Sequence, residues 1–130
     1  MKKIKLPKKD RDAWLKALRS GEYKQGKLRL HQSGKYCCLG VICKLKGITE
    51  EQMGGKGYPD GLPFEYREKL PEVITTPWNA SFKRIFQLNP EDEISPGYEE
   101  FITYLALLND DFDMSFEEIA DEIELLTVGV

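Results

Sequence analysis

Every residue from Cys38 to Leu45 is apolar except Lys44. Water disfavours so continuous an apolar surface, so the segment must lie inside the fold with the remaining chain arranged around it. It is either a buried helix closed by Lys46 and Gly47 or a continuing strand, and the lysine–glycine stop favours the helix. Its neighbours Cys37 and Cys38, with Cys43, are three cysteines that cannot all pair within one chain. Adjacent cysteines also bridge poorly on geometric grounds, so reduced structural thiols are expected.

Charge is divided unevenly along the chain. Residues 1–46 hold fourteen lysines and arginines against three acids, a net of +11, and residues 47–130 carry −14, which leaves −3 overall. An electropositive face attracts phosphates, and an acidic remainder discourages general adhesion to nucleic acid. At 130 residues, 41% hydrophobic and 32% charged, the chain suits one soluble domain spanning residues 1–130. No apolar run approaches a membrane span, and the basic start lacks an apolar segment after it. A cytoplasmic location is expected, with no membrane partner.

Along the chain, residues 2–9 suggest a frayed end or a short edge strand. Asp10-Arg11-Asp12 opens a helix with Trp14, Leu15, Ala17 and Leu18 on one face, stopped by Ser20-Gly21. Residues 23–30 alternate loosely, with Leu28 and Leu30 on one face, and read as a strand. Ser33-Gly34 turns the chain, and Lys35 begins a return strand. Residues 49–63 are rich in glycine and proline and read as a long loop. A short helix over 64–70 and strands over 73–76 and 81–88 follow. Residues 98–108 form a helix with Phe101, Ile102, Leu105 and Leu108 inward, ended by Asn109-Asp110-Asp111. Ser115 and Glu118 form a capping box for a last helix that buries Phe116, Ile119, Ala120, Ile123 and Leu126. The expected fold is α+β: a small, mainly antiparallel sheet with an N-terminal helix and a C-terminal helical hairpin.

The residues with binding chemistry cluster early. Arg19, Lys24 and Arg29, with Lys27, offer charge-assisted donors to phosphate oxygens. Tyr23 can stack on a base, and Gln25 can donate and accept toward a base edge or ribose. Trp78, after Pro77, is placed to stack on a ligand or seal a subunit interface. Asn109 and Asp110 could read a base and accept ribose hydroxyls. Against each stands a plainer reading: a solvated basic hairpin for the first group, Asx turns at a helix end for the second. Cys37 or Cys38 with His31, the sole histidine, would suit a small hydrolase, but a core role is favoured. No phosphate loop, dinucleotide fingerprint, nucleophile elbow or zinc-protease motif occurs, which favours binding over catalysis. No cofactor or metal is expected.

Three motifs carry a resemblance: residues 18–26 (LRSGEYKQG), residues 36–41 (YCCLGV), and Leu108-Asn109-Asp110 followed by residues 115–121 (SFEEIAD). Together they resemble a family of small proteins encoded by bacteriophages and some bacteria, mostly without an assigned function. Small phage proteins of this kind resemble counter-defence sponges, which bind a nucleotide immune signal such as cyclic ADP-ribose or a cyclic dinucleotide without cleaving it. For such a sponge, the residue chemistry above places Arg19, Tyr23, Lys24, Gln25, Arg29, Trp78, Asn109 and Asp110 around a small anionic nucleotide, and a homo-oligomer in the host cytoplasm is expected because subunit interfaces can enclose a ligand. The alternative is a module that binds nucleic acid or a host protein.

Overall fold

Ile4 and Leu6 are buried while Lys5 between them is exposed, the alternation of a strand with one face on the core. The computed structural model describes residues 3–56 and 98–130. Strand β1 (Ile4–Leu6) pairs in parallel with β5 (Thr127–Gly129), Ile4 opposite Thr127 and Leu6 opposite Gly129. The first and last segments of the chain thus close on each other. Two backbone bonds extend the closure, Val130 N to Leu6 O at 2.9 Å and Lys8 N to Val130 O at 3.2 Å.

Pro7 starts helix α1 (Lys8–Ser20), its φ of −54° already close to helical. Trp14, Leu15, Ala17 and Leu18 are buried as expected, and Gly21 ends the helix at φ 81°. The indole Nε1 of Trp14 donates to Cys38 O at 3.0 Å, which satisfies the ring's polar atom inside the core. Arg11 donates to Thr127 Oγ1 at 2.8 Å and to Glu124 O at 3.1 Å, where unpaired helix carbonyls attract a cation.

The expected strand over 23–30 is much shorter. Only β2 (Lys24–Gln25) is extended, and the chain then loops to β3 (His31–Gln32). Ser33 and Gly34, both at positive φ, turn it into β4 (Lys35–Tyr36). Strand order is β2-β4-β3, with β2 parallel and β3 antiparallel to β4. Among the described residues, two of the three strand pairings are parallel and one is antiparallel, so the strands are mixed rather than mainly antiparallel.

The apolar run is a helix, α2 (Cys38–Leu45), buried from Cys38 to Cys43. Gly40 is fixed by sterics: a Cβ there would stand 2.0 Å from Leu30 O. Within the expected long loop, Thr49 and Gln52 cap a single turn, α3 (Glu50–Met53), which buries Met53. The helix and strands expected between residues 64 and 88 lie outside the described residues.

Helix α4 (Tyr98–Asp110) runs two residues past its expected end, with Phe101, Ile102, Leu105 and Leu108 buried. The Ser115–Glu118 capping box opens α5 (Phe116–Leu126), which buries Phe116, Ile119, Ala120 and Ile123 while Leu126 is half-buried. Helix α1 packs on α5 and α2, and α2 packs on α4, so these apolar faces share one core. The architecture is α+β, with an N-terminal helix and a C-terminal helix pair beside small sheets.

Candidate functional site

Strand register sorts the three-stranded sheet into two faces. Lys24, Lys35 and Gln32 lie opposite one another across β2, β4 and β3, and all three are exposed. Gln25, Tyr36 and His31 form the other row, half-buried to buried. The outer row therefore presents two ammoniums and an amide side by side. Neighbouring strands sit about 4.8 Å apart, and like charges directly opposite destabilise a sheet. No acid is paired with Lys24 or Lys35 among the described residues. Gly26 continues β2 beside Lys35, whose Cβ would lie 2.8 Å from any Cβ at that position, so the close approach requires glycine.

The inner row anchors the sheet. The Tyr36 ring meets His31 at 4.7 Å and the edge of Tyr23 at 5.3 Å between centroids. Its hydroxyl donates to Glu50 Oε1 at 2.7 Å, and Lys44 Nζ reaches the same oxygen at 2.8 Å. Burial and the Glu50 carboxylate push the Tyr36 hydroxyl up to about 12. Lys44 and the tyrosine hydroxyl together hold Glu50 down at about 2.

A buried asparagine sets the loop after β2. Asn109, with no exposed surface, accepts at Oδ1 from Gln25 Nε2 at 2.9 Å and from Cys38 N at 3.3 Å. Its Nδ2 donates to Gly26 O at 2.8 Å and to Asp110 Oδ1 at 2.9 Å. Asp110 also accepts from Leu28 N at 3.0 Å. Gln25 gives its second bond to Met114 O at 2.7 Å.

The residues singled out from the sequence separate accordingly. Gln25, Asn109 and Asp110 do come together, and Gln25 Nε2, both amide atoms of Asn109 and Asp110 Oδ1 bond one another and the backbone, so they shape the loop. Asn109 is buried scaffold and not an Asx turn in solvent. Arg19 stands apart: its guanidinium bridges Asp121 at 2.8 Å and Glu124 at 3.0 Å, tying α1 to α5. Tyr23 is half-buried against Tyr36. Lys24 and Arg29 are exposed, with no acid paired to them among the described residues, and Arg29 donates to Leu28 O at 2.8 Å. Lys27 pairs with Asp113. Leu28 is not inward with Leu30 but 66% exposed. Trp78 lies outside the described residues. Lys35 and Gln32 were missed, although their alternation about Ser33-Gly34 was the available signal.

The cysteines pack as structure. Cys37 Sγ caps α2 by accepting from Gly40 N at 3.4 Å, and Cys38 Sγ donates to Leu105 O at 3.7 Å. All three are free and buried, and desolvation pushes Cys37 up to about 11 and the other two well above the ordinary thiol value. A buried thiol so poorly ionised makes a weak nucleophile. Among the described residues no three His, Cys, Asp or Glu side chains group as metal ligands, and no helix is long and apolar enough to cross a membrane. A cavity of about 510 Å³ opens between α1 and α2, lined by Pro7, Lys9, Asp10, Ala13, Ile42, Leu45 and Lys46. None of the expected ligand residues lines it, and its Asp10–Lys46 pair closes on itself at 2.9 Å.

A family profile described as a domain of unknown function matches residues 6–127. No curated protein and no solved structure matches the chain.

Proposed function

The chain belongs to the DUF8296 family, and we propose that it is a non-catalytic binder of a small phosphate-bearing anion. The observation that carries this reading is the direct opposition of Lys24 and Lys35 across parallel strands, both exposed and without acid partners among the described residues. An anion between the two ammoniums converts a repulsion into two charge-assisted contacts. Gln32, next in the row, adds an amide that can donate or accept, and Arg29 supplies a further cation nearby in sequence. The Asn109–Asp110 clamp adds support, because a loop already fixed loses little entropy on binding. Lowered thiol reactivity at Cys37, Cys38 and Cys43 argues for holding a ligand and against cleaving it.

In its finer form the ligand is a nucleotide signal of the cyclic ADP-ribose or cyclic dinucleotide type, sequestered during phage infection. Homo-oligomerisation would enclose a ligand that one open sheet face leaves half in water. Phosphate contact then falls to Lys24, Lys35 and Arg29, while Arg19, Gln25, Asn109 and Asp110 act as structure.

Titration calorimetry of the full chain at low salt, with pyrophosphate, cyclic dinucleotides and cyclic ADP-ribose isomers, tests the reading. A bound ligand should be recovered unchanged from heat-denatured complex. Replacing Lys24 and Lys35 by Gln should weaken binding about tenfold each, roughly 1.4 kcal/mol. If the wild-type chain takes up no member of the panel, the reading fails.

A further inference from the structure

The exposed row of the three-stranded sheet is charged at one end only. Lys24 and Lys35 stand opposite each other in neighbouring parallel strands, and Gln32 follows on the far side of Lys35. Strands about 4.8 Å apart place two ammonium stems at one end of a line about 10 Å long and a neutral amide at the other. Both lysines are exposed, so their ammoniums can swing together over one point. Gly26 keeps β2 close to Lys35: a Cβ there would lie 2.8 Å from Lys35 Cβ, and Gly26 N donates to Tyr36 O at 2.7 Å.

Among the described residues, the aromatic rings of the sheet gather on the opposite face. Tyr36 and His31 share the inner row, and Tyr23 sets its edge against Tyr36. A base laid on the outer row meets two aliphatic stems and an amide, with no ring of the sheet to stack on. A lysine ammonium is a flexible point charge, and unlike an arginine fork it does not read the plane of its partner. Such a pair ranks ligands by how much negative charge they concentrate in one place.

Resting on the anion-binding reading above, we propose that this row selects a diphosphate group, two phosphates joined through one bridging oxygen, and is indifferent to the base attached. One phosphate faces Lys24 and the next Lys35, with Gln32 donating to an oxygen of the second. Among nucleotide signals this favours those with a pyrophosphate bridge, as in cyclic ADP-ribose. A cyclic dinucleotide sets its phosphates apart on opposite sides of a ring, so either one brings the two ammoniums a single charge.

Calorimetry of the full chain at low salt tests the assignment with pyrophosphate, ADP, UDP, cyclic ADP-ribose, AMP and a cyclic dinucleotide. The first four should bind within about fivefold of one another, and AMP and the cyclic dinucleotide should be weaker by more than that. Lys35→Gln should bring pyrophosphate down to the level of AMP. Lys16→Gln, which removes the same charge from the exposed face of α1, should leave the preference intact. A diphosphate outside the fivefold range, AMP or the cyclic dinucleotide inside it, or a preference that survives Lys35→Gln or is lost in Lys16→Gln would each overturn the diphosphate assignment and leave anion binding standing. Uptake of no member of the panel would remove both.

Discussion

Asn109 Oδ1 accepts a hydrogen bond from Gln25 Nε2 at 2.9 Å, joining residues 84 positions apart. The asparagine lies at the end of α4, and the glutamine in a strand two residues long. The same side chain also bonds Gly26 O and Cys38 N, so one buried amide fixes β2, the loop behind it and the start of α2. Asn109→Ala should therefore destabilise the protein by about 3 kcal/mol, because buried backbone groups lose their partners. Gln25→Ala should cost about 1 kcal/mol, since its site is half-buried and water can replace it. Urea denaturation of both variants measures the difference, and equal losses would contradict this division.

Gly40→Ala should be among the most damaging single-methyl changes. Its Cβ would sit 2.0 Å from Leu30 O, a backbone atom held by bonds from Cys37 N at 3.2 Å on its own carbonyl and to Lys56 O at 2.7 Å through its N–H. Separation of β3 from α2 should cost about 3 kcal/mol. Leu30 cannot retreat without breaking those bonds. A melting temperature close to wild type would show that the junction yields.

Lys35→Gln should do the opposite of most substitutions. Removing one of two facing ammoniums in β2 and β4 should stabilise the ligand-free chain by about 0.5 kcal/mol. The gain should shrink at high salt, where the repulsion is screened. Denaturation midpoints at low and high salt check both statements, and a loss of stability at low salt would mean that the lysines are not in conflict.

Stability should fall at both ends of the pH scale for separate reasons. Glu50 is held down from 4.5 to about 2 by Lys44 and Tyr36. Its contribution is present above pH 4.5 and lost as pH falls through about 2. Cys37 is pushed up from 9.0 to about 11. Above pH 9 the unfolded chain releases this proton while the folded chain keeps it, so stability declines from pH 9 to about 11, by about 3 kcal/mol. Tyr36, raised from 10.0 to about 12, adds the same trend from pH 10 upward. Glu50→Gln should flatten the acid limb, and Cys37→Ser, whose hydroxyl can still cap α2, should make the alkaline limb shallower. Chemical denaturation across pH in each variant reads these slopes directly.

The sequence by itself determined the helices. α1, α2, α4 and α5 declare themselves through apolar spacing, the Ser115–Glu118 box and the Gly21 stop, all set by residues within a few positions of one another. Strands of two or three residues carry no such period. Their partners lie far away, as Ile4 and Thr127 do, so pairing and direction were decided only by the tertiary structure. The same holds for the candidate site. Composition marked the early lysines and arginines as a group, but which of them stays free depends on where the acids of the remaining chain arrive. Asp121 and Glu124 reach Arg19, Asp113 reaches Lys27, and Lys24 and Lys35 are brought together by register alone. Charge is local in sequence, whereas its neutralisation depends on distances that only packing sets.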